Sequence, residues 1–86
     1  MKYALFTEMA LSRDLPEHDL RRGDVVRLIN DYLCPGGREG YSIEVCNAVG
    51  DTIAVTDVEE AALEPLGSDE IFTIRRMTSA AAAREA

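Results

Sequence analysis

Residues 40–58 read "GYSIEVCNAVGDTIAVTDV", two runs in which apolar and polar side chains alternate, joined through a Gly50-Asp51 corner. A period of two puts one set of side chains on a buried face and the other in water, which a helix cannot do. The Gly-Asp corner folds the second run back as a hairpin. The first run places Tyr41, Ile43 and Val45 inward with Ser42 and Glu44 outward; in the second, Ile53 and Val55 are expected inward. A lone hairpin is marginal in water, so the rest of the chain has to supply further strands.

Other segments offer them. "FTEMALS" reads as a first strand with Met9 and Leu11 on one face and Glu8 and Ser12 on the other. "GDVVRLINDYL" is rich in β-branched residues, and its apolar parity changes between Val25/Ile29 and Val26/Leu28, as in a strand that bends or is covered on both faces. "RDLPEHDLRR" is a polar loop with Pro16 fixing a turn, and "CPGGREG" is a turn by composition. "EEAALEPL" is too short for a helix; one helical turn is expected, then a brief strand near Leu63 to Leu66. "EIFTIRRM", residues 70–77, reads as a final edge strand blunted by Thr73, Arg75 and Arg76. "TSAAAAREA" has no apolar stripe to dock and is expected to fray, so the domain is placed at 1–78 and a flexible tail at 79–86.

The expected fold class is therefore all-β: a small SH3-like barrel of five to six short antiparallel strands with one short helical turn. An OB-type barrel would add a helix between the third and fourth strands, where this sequence has none.

The chain has 86 residues, enough for one modest core, and carries 16 acids against 9 bases for a net charge of −7. Excess negative charge argues against sequence-independent binding to nucleic acid or to anionic membrane. No run approaches the roughly 20 apolar residues of a membrane span, and Glu8 interrupts the short N-terminal apolar run, so a cytoplasmic location is expected. Cys34 and Cys46 fit that location as free thiols. In a hairpin about "CPGGREG", Cys34 faces residue 41 and Cys46 falls near Ile29, roughly 16 Å away along the strand. A disulfide requires Cα atoms within about 7 Å, so two buried or half-buried thiols are expected.

The segments "DLPEHDLRRGDVVRLI", "GYSIEV" and "GDTIAVTDVEEAALEPL" together resemble a family of short bacterial proteins, domain of unknown function 4926. The likeness covers residues 5 to 76, and "LPEHDLRRGDVV" is its most specific part. The resemblance implies a compact SH3-like barrel in a stand-alone, non-secreted protein, and it implies no catalytic residues.

Several features invite a functional reading. Arg22-Gly23-Asp24 matches a cell-adhesion tripeptide, but it runs directly into a strand in a chain without a signal sequence, and Gly23 is better explained as a turn residue. His18 is the only histidine; Glu17 and Asp19 flank it in a loop, and a metal site needs three or four ligands. A surface histidine is the plainer account. Asp57, Glu59, Glu60 and Glu64 form an acidic cluster without calcium-loop spacing, which reads as a solvated face or a docking face for a basic partner. Arg21, Arg22, Arg27, Arg75 and Arg76 are the one basic concentration, and pairing with Asp24, Asp31 or Glu70 is preferred over RNA binding.

The functional expectation is a non-enzymatic protein-binding module, an adaptor or an antitoxin- or immunity-like partner of another protein. No catalytic residue, cofactor or metal is assigned. Its contact surface is placed on the two loops at Pro16, His18, Arg21, Arg22 and Arg38, since loops on a rigid scaffold commonly carry binding. The partner is another protein, basic by charge complementarity, and edge pairing through the 70–77 strand offers a homodimer. The alternative is an RNA-binding barrel using Arg27, Arg75 and Arg76. A small hydrolase built on His18 or the acidic cluster has the least support.

Overall fold

Two corners set up the sheet. At the first, the Cys34 N–H donates to the Arg38 carbonyl (2.6 Å) and the Gly37 N–H to the Cys34 carbonyl (3.0 Å). At the second, Asn47 Oδ1 accepts from the backbone N–H groups of Val49 (3.1 Å) and Asp51 (2.9 Å). A short polar side chain thus takes up donors that the turn leaves open. In the computed structural model, which describes residues 2–77, these corners join β2 (Val25–Leu33), β3 (Glu39–Cys46) and β4 (Thr52–Glu59). With β1 (Glu8–Leu11) and β5 (Leu63–Pro65) they form one antiparallel sheet in the order β4-β3-β2-β1-β5. The only helical pieces among the described residues are two 3-10 turns, Pro16–His18 and Glu60–Ala62. The fold is all-β, as expected, with all five strands antiparallel in a single sheet.

The sheet is not closed, however. The expected barrel needs the last strand to bridge back toward β4, but β5 has three residues, pairs with β1 at Met9, Ala10 and Leu11, and runs out at Pro65. Proline has no N–H to extend a ladder. The β1–β2 loop packs onto the sheet, its Leu15 and Leu20 buried with Leu11, Leu28, Tyr41 and Ile43 in a single core cluster.

Both hairpins contain a shift in register, and the second corrects the expected facing of β4. Cys46 pairs with Thr52, but Val45 pairs with Ala54, so Ile53 is an extra residue. A regular ladder would have set Ile53 opposite Val45 and Val55 opposite Ile43, both inward. The bulge slips the register by one and turns every later side chain over. Ala54, Thr56 and Val58 now face the core, while Ile53 and Val55 stand 39% and 59% exposed. In β2 the shift falls between Leu28 and Asn30, where the sequence parity changes. In β1, Met9, Ala10 and Leu11 are all buried, because the strand has neighbours on both sides and core on one face and the loop and helical turn around the other end.

Residues 70–77 are not a strand, against expectation. β1, β2 and β3 each have two neighbours already, and Arg75 ties the segment to the β1–β2 loop instead. The expected frayed tail at 79–86 lies outside the described residues. The β2–β3 turn is tighter than expected, with Leu33 opposite Glu39; Cys46 accordingly sits beyond the Arg27–Glu44 pair rather than near Ile29. Both thiols are free; Cys34 is half-buried and Cys46 is exposed, not buried. No helix among the described residues is long and apolar enough to cross a membrane.

Candidate functional site

The β1–β2 loop is long for a connection between paired strands and is held at nearly every step. Leu15 and Leu20 exchange backbone hydrogen bonds of 2.9 and 3.1 Å, closing a small loop about the Pro16–His18 turn. Asp19 adopts φ 58° at the end of that turn, a left-handed conformation that Asp tolerates well. Asp14 Oδ1 accepts the Arg22 N–H at 2.8 Å, and Asp24 Oδ2 accepts the Arg21 N–H at 2.8 Å. Gly23 has φ 90° and donates its N–H to the Leu11 carbonyl at 2.8 Å, returning the chain to β2. A side chain at that φ would be strained, so glycine is the residue the turn requires.

Asp24 does not project as an adhesion ligand would. It receives Arg75 Nε on Oδ1 (2.9 Å) and Arg75 Nη2 on Oδ2 (2.5 Å), while the same Nη2 donates to the Asp19 carbonyl at 3.0 Å. Burial pushes the Asp24 carboxyl up, but the hydrogen bonds from Arg75 and the Arg21 backbone, with the charges of both arginines, outweigh it and hold the carboxyl below its ordinary value. The hydrogen bond to Asp24 holds the Arg75 guanidinium above its own ordinary value. A forked, charge-assisted pair of this kind fixes orientation as well as adding energy.

The expected contact residues do not gather into one surface. Pro16, Arg21 and Arg22 are exposed on the β1–β2 loop, with the two arginines held by their backbone N–H groups rather than by their guanidinium groups. His18 Nε2 lies 3.1 Å from Thr56 Oγ1 and 4.0 Å from Glu17. Arg38 pairs with Glu59 at 3.2 Å. Thr56 and Glu59 are three residues apart in a regular stretch of β4, hence on opposite faces, so the two loops reach one strand from opposite sides. Nor do Arg27, Arg75 and Arg76 present three free cations: Arg75 is committed to Asp24, and Arg27 stands in register between Glu8 and Glu44. Arg76 is exposed.

The acidic cluster is likewise dispersed. Asp57 accepts the Ser42 hydroxyl at 2.7 Å, Glu59 takes Arg38, and Glu60 lies 3.9 Å from Lys2. A hydrogen bond with Glu39 pushes the Glu60 carboxyl above its ordinary value, with burial and the Glu39 charge adding to the rise. Among the described residues, no group of three or more His, Cys, Asp or Glu could hold a metal ion.

What sequence reasoning missed is that the run at 70–77 joins no ladder. Ile71, Phe72 and Ile74 are 88%, 72% and 89% exposed, immediately before the clamped Arg75. In the sequence the run reads as an edge strand blunted by Thr73, Arg75 and Arg76 and as a route to a homodimer, but it pairs with no strand.

The family catalogued as domain of unknown function 4926 matches residues 5–65. The chain belongs to that family. Its match spans β1 through β5, so the domain of unknown function 4926 comprises the sheet and the clamped loop, and the apolar run at 71–74 follows it. No curated protein and no solved structure matches the chain.

Proposed function

We propose that the chain is a non-enzymatic protein-binding module, acting by occupancy as an adaptor or as the antitoxin- or immunity-like half of a pair. The observation that carries this reading is the Arg75 clamp, which holds the exposed run Ile71–Ile74 next to the braced loop bearing Pro16, Arg21 and Arg22. Protein interfaces combine an apolar and aromatic centre with arginine, and a pre-ordered loop loses little entropy when it docks. An open hollow of about 230 Å³ beside the loop, lined by Asp14, Pro16, Asp19, Leu20 and Arg21, gives that face relief. The partner surface that fits is apolar with carboxylates at its rim, rather than the basic surface suggested by net charge. RNA binding has less to support it, since Arg75 is committed to Asp24 and Arg27 stands in register between Glu8 and Glu44.

Affinity capture from native lysate, with wild type and the Arg21→Glu/Arg22→Glu variant side by side, tests the reading. Wild type should retain a stoichiometric protein that the variant binds at least about tenfold more weakly, as expected for reversing two interface charges. A partner retained equally by both, or none retained by wild type, overturns it.

A further inference from the structure

β4 is an edge strand of eight residues, and no described residue pairs with its outer side. A long free edge is a template for another strand, and natural sheets usually blunt it with charge or a bulge that turns it away. Here the bulge at Ile53 does the reverse, bringing Ile53 and Val55 to the outer surface. The same chain carries, in residues 70–76, a run outside any ladder whose Ile71, Phe72, Thr73 and Ile74 have high strand preference. Its own Arg75 clamp ties this run to the β1–β2 loop rather than along β4.

We propose that the run at 70–76 of one copy adds as a strand to β4 of a second copy, and that the exchange is mutual. This rests on the reading of Ile71–Ile74 as a binding element: in the free protein a second copy of this chain takes the run, and the other partner, which needs the run together with the arginine loop, competes with the dimer. Two features favour a second copy over a foreign strand. Both complementary parts are on every chain, so a two-fold arrangement satisfies each twice. The charges also match: Arg76 follows the apolar run, while the exposed Asp57, which accepts only a neutral hydroxyl from Ser42, stands on β4. About 15 residues a side would be engaged, fewer than the roughly 20–30 of a standard interface, so the dimer should be weak, with a dissociation constant of tens of micromolar.

Sedimentation velocity from about 1 to 500 µM should show wild type passing from monomer to dimer across that range. Ile74→Lys and Val55→Lys alter residues that are already exposed, and each alone should leave the protein monomeric with unchanged circular dichroism. Wild type that stays monomeric across that range, or a dimer that survives either substitution, overturns the proposal. Arg21→Glu/Arg22→Glu should dimerise like wild type, so loss of the loop's partner and loss of the dimer are read separately.

Discussion

At Asp24 three N–H donors converge on two carboxylate oxygens, and two parts of the chain 51 residues apart are joined as a result. The guanidinium and carboxylate are about a quarter and a fifth exposed, so the pair is neither a screened surface contact nor a fully buried one. The worth of such a pair lies between those limits, about 1–2 kcal/mol. Its pH dependence follows from the lowered carboxyl: the folded state holds Asp24 ionised more tightly than the unfolded chain does. The contribution is therefore complete above the unfolded value near 4 and is lost as pH falls through the lower folded value. Asp24→Asn should cost about 1–2 kcal/mol in urea unfolding at pH 7, and the gap to wild type should narrow below about pH 3. A gap that persists in acid would locate the effect in something other than the ion pair. The same substitution should free the segment around Arg75, seen as lower 15N heteronuclear NOE values at 71–77.

At the scale of elements, the hairpin of β3 and β4 was largely legible. The alternation in "GYSIEV" gave the inward face of β3 correctly, and the Gly50-Asp51 corner gave the turn. The facing of β4 was not legible, because it depends on one extra residue in a ladder and no local pattern of Thr52–Val58 announces it. A second element-level feature is the contact between β2 and β3 at Gly40. The Tyr32 ring lies so close over Gly40 that an added Cβ would sit 2.6 Å from Cζ. Gly40→Ala should therefore push the ring aside and cost about 1–2 kcal/mol. In the Tyr32→Ala background the same change should cost little, and a thermal-unfolding double-mutant cycle would expose that coupling. Equal costs in both backgrounds would mean that the backbone, not the ring, resists the methyl group.

For the molecule as a whole, the core is held at its centre by Tyr41, which is fully buried among Leu11, Leu28 and Ile43. Its hydroxyl accepts the Tyr3 N–H at 2.9 Å, and the two rings lie 5.8 Å apart, which fastens residues preceding β1 onto the sheet. Tyr41→Phe keeps the packing but leaves that N–H without its partner, and should cost about 1 kcal/mol with faster exchange at Tyr3. Stability of such a domain is of the order of 5–15 kcal/mol, so the loss should be plain in the unfolding midpoint.

By itself the sequence determined the all-β class, the loop and turn positions, the brief strand before Pro65 and the family, because alternation, proline and turn chemistry act over a few residues. Tertiary structure alone decided three other things. The sheet stays open, because β5 is too short to bridge to β4. The outward turn of Ile53 and Val55 follows from a single unpaired residue. The use of Arg75 as a clamp on Asp24 depends on which acid the folded chain brings within reach, and several acids compete for that role along the sequence.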